Sequence, residues 1–395
     1  MFPLTSPITW TKFRGEYMKL SRSIKIAAVA AAAAVVAASP AFAGVSLTGA
    51  GSSFAAPLIG ACKAAYQSAS GNTITYNPAG SGTGRGNADK GIGDFNFSDA
   101  TYTPAVASIV HIPVVAAPVA IAYNLNSTKT LYLSPATLSD IFAGKITMWN
   151  DPAIAADNNG SSPQVVFKKN SSGAVVKDAS GKPVVLKTIS VKRYFTLPNQ
   201  KIKVIYRGDG SGTTQNLVNM FIKKFPTTWT KSSSSTFTSV FPGSINDAAN
   251  LGRFQSATGS AGVTALAAKT KYSITYVEAS YAKAQKLGLA AIKNASGSYA
   301  LPEAGGTASF LNAGTVAADG KMTFNYETTD PAAYVLGIVS YALVDTKTKN
   351  AAEVKSFLNA LLDPACPNTD PSLQYSTVTG ALLAADKALI AKIGA

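Results

Sequence analysis

One histidine and two cysteines are all that 395 residues offer toward imidazole or thiol chemistry. A zinc centre of His and Cys ligands is thereby excluded, and a histidine-based triad would have to use His111. His111 precedes Ile112-Pro113 and an apolar stretch, the setting of a structural histidine. Charged residues are scarce, 14% against 47% apolar, which fits neither a disordered chain nor a coiled coil. The motif Gly-x-x-x-x-Gly-Lys-Ser/Thr is absent, so a P-loop nucleotide site has no support. No Gly-x-Gly-x-x-Gly follows a strand, and no Gly-x-Ser-x-Gly surrounds a serine. Ser53, Ser81 and Ser211 therefore lack the context of an activated nucleophile. No cofactor or metal is expected. The one long apolar run, Ile26 to Ala38, is too short to span a bilayer comfortably.

That run sits in a different pattern. From Met18 a basic stretch with Lys19, Arg22 and Lys25 leads into it, and Ala41-Phe42-Ala43 follows with small residues two apart. This is the layout of a secretory signal peptide. Met18 reads as the start, residues 1–17 as upstream sequence, and cleavage after Ala43 leaves a mature chain beginning at Gly44. No cysteine follows the cleavage position, so a lipid anchor is not expected. The formal charge of +15 becomes +11 once the five Lys/Arg and one Glu of the leader are removed. Lys and Arg are scattered, with no run of five and no interleaved aromatics. The excess reads as a solvated surface and not as a nucleic-acid patch. Export permits a disulfide; Cys62 and Cys366 either form it or stay as two buried thiols.

The mature chain alternates strand and helix signals, and the 32 glycines and 20 prolines suit a loop-rich α/β protein. Strands are expected at 45–48, 73–76, through Phe95 and Phe97, at 114–123, 202–206, 273–277 and 334–343. Helical spacing marks Leu58, Ile59, Cys62 and Tyr66; Leu138, Ile141 and Phe142 behind Ser134-Pro135; Leu217, Phe221 and Phe225; and Val354, Phe357, Leu358 and Leu361. Residues 157–200 are polar and weakly periodic, a long loop or a β-hairpin excursion.

One arrangement recurs at 49–54, 80–84 and 208–213: strand, a turn of Gly, Ser and Thr, then helix. Such a turn presents backbone N–H groups and short hydroxyls at a helix N-terminus, where the dipole favours an anion. Three of them, the third with Arg207 two residues before Asp209, point to an oxyanion site.

At these residues the sequence resembles the phosphate-binding proteins of bacterial high-affinity phosphate import. The resemblance rests on Leu47–Phe54, Gly80-Ser81, Phe97-Ser98-Asp99, Leu138–Ile146 with Trp149–Pro152, Arg207–Thr213 and Ile274–Glu278, in the family's order and spacing. Residues 157–200 and 287–325 match poorly. Gly259-Ser260-Ala261-Gly262 departs from the family pattern at a place expected to lie outside the ligand set. The resemblance implies a type II periplasmic binding protein fold, two α/β lobes joined by two strand crossovers. Lobe one would be 44–124 with 331–395, lobe two 125–330, with 157–200 inserted. Both cysteines then share a lobe, which favours the bridge.

The resemblance also implies a phosphate site built from Ser53, Phe54, Ser81, Asp99, Arg207, Asp209, Ser211, Gly212 and Thr213. Arg207 would supply the cation, Asp209 would hold it, and Asp99 would accept a hydrogen bond from hydrogen phosphate. The expected function is capture of inorganic phosphate outside the cytoplasmic membrane by a monomer that delivers it to membrane ABC permease subunits, without catalysis. Location would be periplasmic, or secreted. Two other classes stay open, a secreted phosphoesterase and an adhesion or interaction protein reusing the fold through residues 157–200.

Overall fold

A computed structural model describes residues 44–368 and 370–395. The leader expected before Gly44 lies outside the described residues. Among the described residues, no helix is long and apolar enough to cross a membrane.

The amino-terminal segment 46–98 is a parallel βαβαβ unit. Strand Ser46–Gly51 lies between Thr73–Asn77 and Phe95–Ser98, parallel to both. Helix Ala56–Ser70 makes the first connection. Pro57 fits its first turn, Leu58, Ile59, Cys62 and Tyr66 form its buried face, and Gly71 ends it in the left-handed conformation. Helix Ser81–Asp89 makes the second connection. A matching unit follows later in the chain. Strand Lys203–Arg207 lies between Phe254–Ala257 and Ser273–Glu278, again parallel to both. Helices Gly212–Lys224 and Gly259–Lys269 lie between these strands in sequence.

One strand of 16 residues, Ile109–Asn124, ties the two units together, buried over nearly its whole length. Its first part, through Pro118, pairs antiparallel with Gly337–Asp345. From Val119 onward it pairs antiparallel with Ser273–Glu278. Pro118 has no N–H to donate, which suits a residue where one partner is left and another taken up. The returning chain passes beside it. Val119 N donates to Leu336 O at 2.8 Å, and the Tyr334 hydroxyl donates to Val119 O at 2.8 Å. The exchange of partners therefore falls within the strand, upstream of Tyr123, and the return strand begins at Gly337 where sequence spacing had placed it at Tyr334.

Residues 157–200 form a standing hairpin, strands Asn159–Phe167 and Val185–Tyr194 in antiparallel register. Most of the second strand is exposed, which explains why its sequence carries no clear alternation. Cys62 and Cys366 form a disulfide, Cα atoms 5.3 Å apart, fastening helix Ala56–Ser70 to the short helix Ala365–Asn368.

Candidate functional site

In both parallel units the carboxyl ends of the strands face one crevice, the usual place for a ligand in sheets of this kind. Ser52, Ser53 and Phe54 follow strand Ser46–Gly51, Ser81 opens the helix after Thr73–Asn77, and Asp99 follows Phe95–Ser98. From the other unit, Arg207 ends its strand, Ser211 caps helix Gly212–Lys224 by accepting from Thr214 N at 3.1 Å, and Gly259 opens its helix after Phe254–Ala257. The two sets touch. Gly82 N donates to Gly210 O at 2.7 Å, and Ser260 N donates to Ser53 Oγ at 3.1 Å. A Cβ on Gly212 would stand 2.6 Å from Ser81 Oγ and 2.9 Å from Asp99 Cβ, so only glycine allows the approach. Gly80 has φ +94°, and a Cβ there would meet Asp209 Oδ2 at 2.3 Å.

The charges inside are two carboxylates and one guanidinium. Arg207 is almost wholly buried. Its Nε donates to Asp209 Oδ1 at 2.7 Å and its Nη2 donates to Oδ2. Gly259 N donates to the same Asp209 Oδ1 at 3.0 Å. Burial would raise the Asp209 pKa, but the hydrogen bond and charge of Arg207 outweigh it and hold the carboxyl below its usual value. Arg207 N donates in turn to the Tyr276 hydroxyl at 3.1 Å, which shares a 2.6 Å hydrogen bond with Thr214 Oγ1.

Asp99 has a different environment. It is buried and surrounded by hydroxyls: Ser52 and Ser340 donate to Oδ1, the latter at 2.8 Å, and Ser81 donates to Oδ2 at 3.2 Å. Thr213 Oγ1 donates weakly to Oδ2 at 3.4 Å, and Asn216 Nδ2 donates to the Asp99 carbonyl. Burial pushes its pKa up, while Ser52, Ser340, the Arg207 charge and Ser81 pull it back. Hydroxyl rotors can turn from Asp99 to another acceptor, so this carboxylate can accept a hydrogen bond from a guest's hydroxyl in their place.

All the residues expected from the sequence lie in or beside this crevice, with uneven contributions. The Phe54 ring is core, packed edge-on against Tyr375, and its carbonyl accepts from the Tyr375 hydroxyl. Its backbone is engaged as well, since Phe54 N donates to Ser52 Oγ at 3.0 Å. The Ser53 hydroxyl already bonds to Ser260, at 2.9 Å to Oγ. Gly259 and Ser260, the first residues of helix Gly259–Lys269, border the crevice and bond to Asp209 and Ser53. Ser52, Thr214, Asn216, Tyr276 and Ser340 were missed by sequence reasoning. Ser52 could have been suspected from the Ser pair; Ser340 comes from a distant strand with no motif around it. His111 is elsewhere. It packs against Tyr102 and Tyr341, its Nε2 accepts from Tyr102 N, and burial drives its pKa down to about 4.

The PBP superfamily domain matches residues 30–364. The "Phosphate-binding protein PstS" of Xylella fastidiosa (strain 9a5c) is 30% identical over 324 residues, covering 80% of this chain and 76% of that protein. The chain belongs to the PstS phosphate-binding protein family. Another relative, "Phosphate-binding protein PstS 3" of Mycobacterium tuberculosis (strain CDC 1551 / Oshkosh), is 29% identical over 314 residues, 75% of this chain and 72% of that one. Among solved structures, a high-affinity periplasmic phosphate-binding protein (PfluDING) bound with phosphate has TM-score 0.60 at 17% identity, covering 87% of this chain and 93% of that chain. A putative phosphate ABC transporter substrate-binding protein from Clostridium perfringens has TM-score 0.54 at 16% identity, covering 85% and 100%. These likenesses show the type II periplasmic binding protein fold, and no enzyme family is among the relatives named here.

Proposed function

We propose that the protein captures inorganic phosphate, as hydrogen phosphate, outside the cytoplasmic membrane and delivers it to the permease subunits of an ABC importer. The observation that carries this is the pairing of one buried guanidinium with one buried, hydroxyl-wrapped carboxyl at converging helix N-termini. Arg207 keeps N–H donors beyond the two held by Asp209, and their planar fork suits an oxyanion. Ser81, Ser211 and Thr213 add hydroxyls, and the first turn at Gly212-Thr213 adds backbone N–H groups. Asp99 accepts a hydrogen bond from the hydroxyl of hydrogen phosphate. Fully ionised sulfate would set acceptor against acceptor there, and it is rejected for that reason.

The family and this site favour a binding protein over a phosphoesterase. The hydroxyls in the crevice bond to Asp99, Ser260 and a helix backbone, while His111 is engaged with Tyr102. On this reading lobe one is 44–124 with 331–395 and lobe two is 125–330, closing about the paired passages near Pro118 and Leu336. The mature chain begins at Gly44, is periplasmic or secreted, and works as a monomer without a nucleic-acid partner. Calorimetric titration with phosphate, arsenate and sulfate tests the function: binding of phosphate and arsenate with none of sulfate is expected. Absence of phosphate binding would overturn it.

A further inference from the structure

Away from the crevice, the tip of the hairpin 168–184 lies over the carboxyl-terminal segment 371–383 and encloses a cavity of about 580 Å³. Lys177 reaches from the tip. Its Nζ donates to Ser376 Oγ at 3.0 Å, to Thr377 O at 3.0 Å and to Thr377 Oγ1 at 3.1 Å. All three acceptors are neutral oxygens. Burial alone shifts this ammonium, down to about 8. Lys169 also faces the cavity. The acidic residue of the lining, Asp178, holds its own turn through one oxygen and keeps its negative charge. Its Oδ1 accepts from Ser180 N at 2.9 Å, Ser180 Oγ at 2.7 Å and Lys182 N at 2.9 Å.

We propose that this cavity is a second anion site, one that takes a small phosphorylated sugar or polyol. Its volume lies in the range of small-molecule sites and far exceeds what a bare phosphate fills. Two ammonium groups against one carboxylate leave the lining net positive, and Lys177 gains the counter-ion that its neutral partners do not give. Ser376, Thr377 and Thr379 offer hydroxyls to the hydroxyls of a sugar, while Leu383 and Pro371 supply apolar surface for its carbon faces. The site is distinct from the crevice and does not depend on what the crevice binds.

The test is calorimetric titration of the mature protein, saturated with inorganic phosphate, with glucose 6-phosphate and glycerol 3-phosphate, and with glucose as the uncharged control. Either phosphate ester should bind and glucose should not. Lys177→Met should weaken the ester by at least about tenfold, as loss of one buried counter-charge implies. Leu383→Trp, which fills the cavity and keeps Lys177, should abolish it. Both variants should still titrate with inorganic phosphate, which shows that they are folded and keeps failure here separate from failure of the crevice. No binding of either ester at millimolar concentration, equal binding in Lys177→Met, or binding of glucose as strong as that of the esters would overturn the proposal.

Discussion

Asp209 grips Arg207 along one edge of its guanidinium, with Nε donating to Oδ1 and Nη2 to Oδ2, so the cation is fixed in orientation before any ligand arrives. Truncating one partner of such a desolvated, charge-assisted contact costs about 2–5 kcal/mol. Arg207→Ala should therefore weaken phosphate binding by roughly 30-fold to several thousand-fold. Asp209→Asn should do less harm, because the guanidinium keeps a neutral acceptor while its positive charge remains. Calorimetry on both variants checks the order. Near wild-type affinity in Arg207→Ala would place the anion elsewhere.

Asp99 governs selectivity. Asp99→Asn keeps the size and most hydrogen bonding of the side chain but removes its repulsion for a fully ionised guest. Phosphate should bind the variant comparably or somewhat more weakly, and sulfate should gain measurable affinity. Competition of sulfate against phosphate in the two proteins decides it. Sulfate that stays undetectable in Asp99→Asn would separate selectivity from this carboxyl.

Arg85 and Gln215 meet across the crevice, Nη1 donating to Oε1 at 2.8 Å. Like the hydrogen bond from Gly82 N to Gly210 O, this contact joins the two parallel units, and on the proposed reading it would break on opening. Saturating phosphate should lower the radius of gyration in solution scattering, through hinge closure about the paired passages. Gln215→Ala should soften closure and weaken phosphate by several-fold at most, since the site itself is untouched. An unchanged radius with and without phosphate would argue against closure.

Much of this architecture was legible because strand ends and helix starts carry local signals. Ser134-Pro135 announces a helix, and there Ser134 Oγ accepts from Thr137 N at 3.2 Å. The Gly/Ser/Thr turns mark where strands stop and helix dipoles begin. Ser340 and Tyr276 were not legible, because each reaches the site only through pairing with a distant strand or helix. The hairpin was ambiguous for another reason. Its second strand is mostly exposed, so no buried face imposes alternation on residues 185–194.

The disulfide closes a separation of 304 residues. In the loop-entropy account a bridge of that span stabilises by roughly 5–6 kcal/mol, above the ~2–4 kcal/mol that bridges typically deliver. Adding reductant should lower the thermal midpoint while leaving phosphate binding near its original strength at low temperature, because neither cysteine touches the crevice. Alkylation under denaturing, non-reducing conditions should find no free thiol. Two labelled cysteines, or a midpoint indifferent to reductant, would count against the bridge as a stabilising element.

Asp386 makes stability depend on pH. It is fully buried on helix Gly380–Ala391, and among the described residues neither carboxyl oxygen has a hydrogen-bond partner. Burial pushes its pKa from 3.8 to about 8. The folded state therefore keeps a proton that the unfolded chain releases near its ordinary value. A raised folded-state pKa favours the fold fully at low pH, and that contribution is lost as pH rises from about 4 to about 8. The slope from this one group amounts to roughly 2–5 kcal/mol across the window. Asp386→Asn cannot ionise, so its unfolding free energy should be flatter with pH. The variant should gain on the wild type as the solution becomes more alkaline. Denaturant titrations of both proteins at the two ends of that window measure the difference of slopes directly. Parallel pH profiles would mean that water or a rearranged neighbour already solvates the carboxylate.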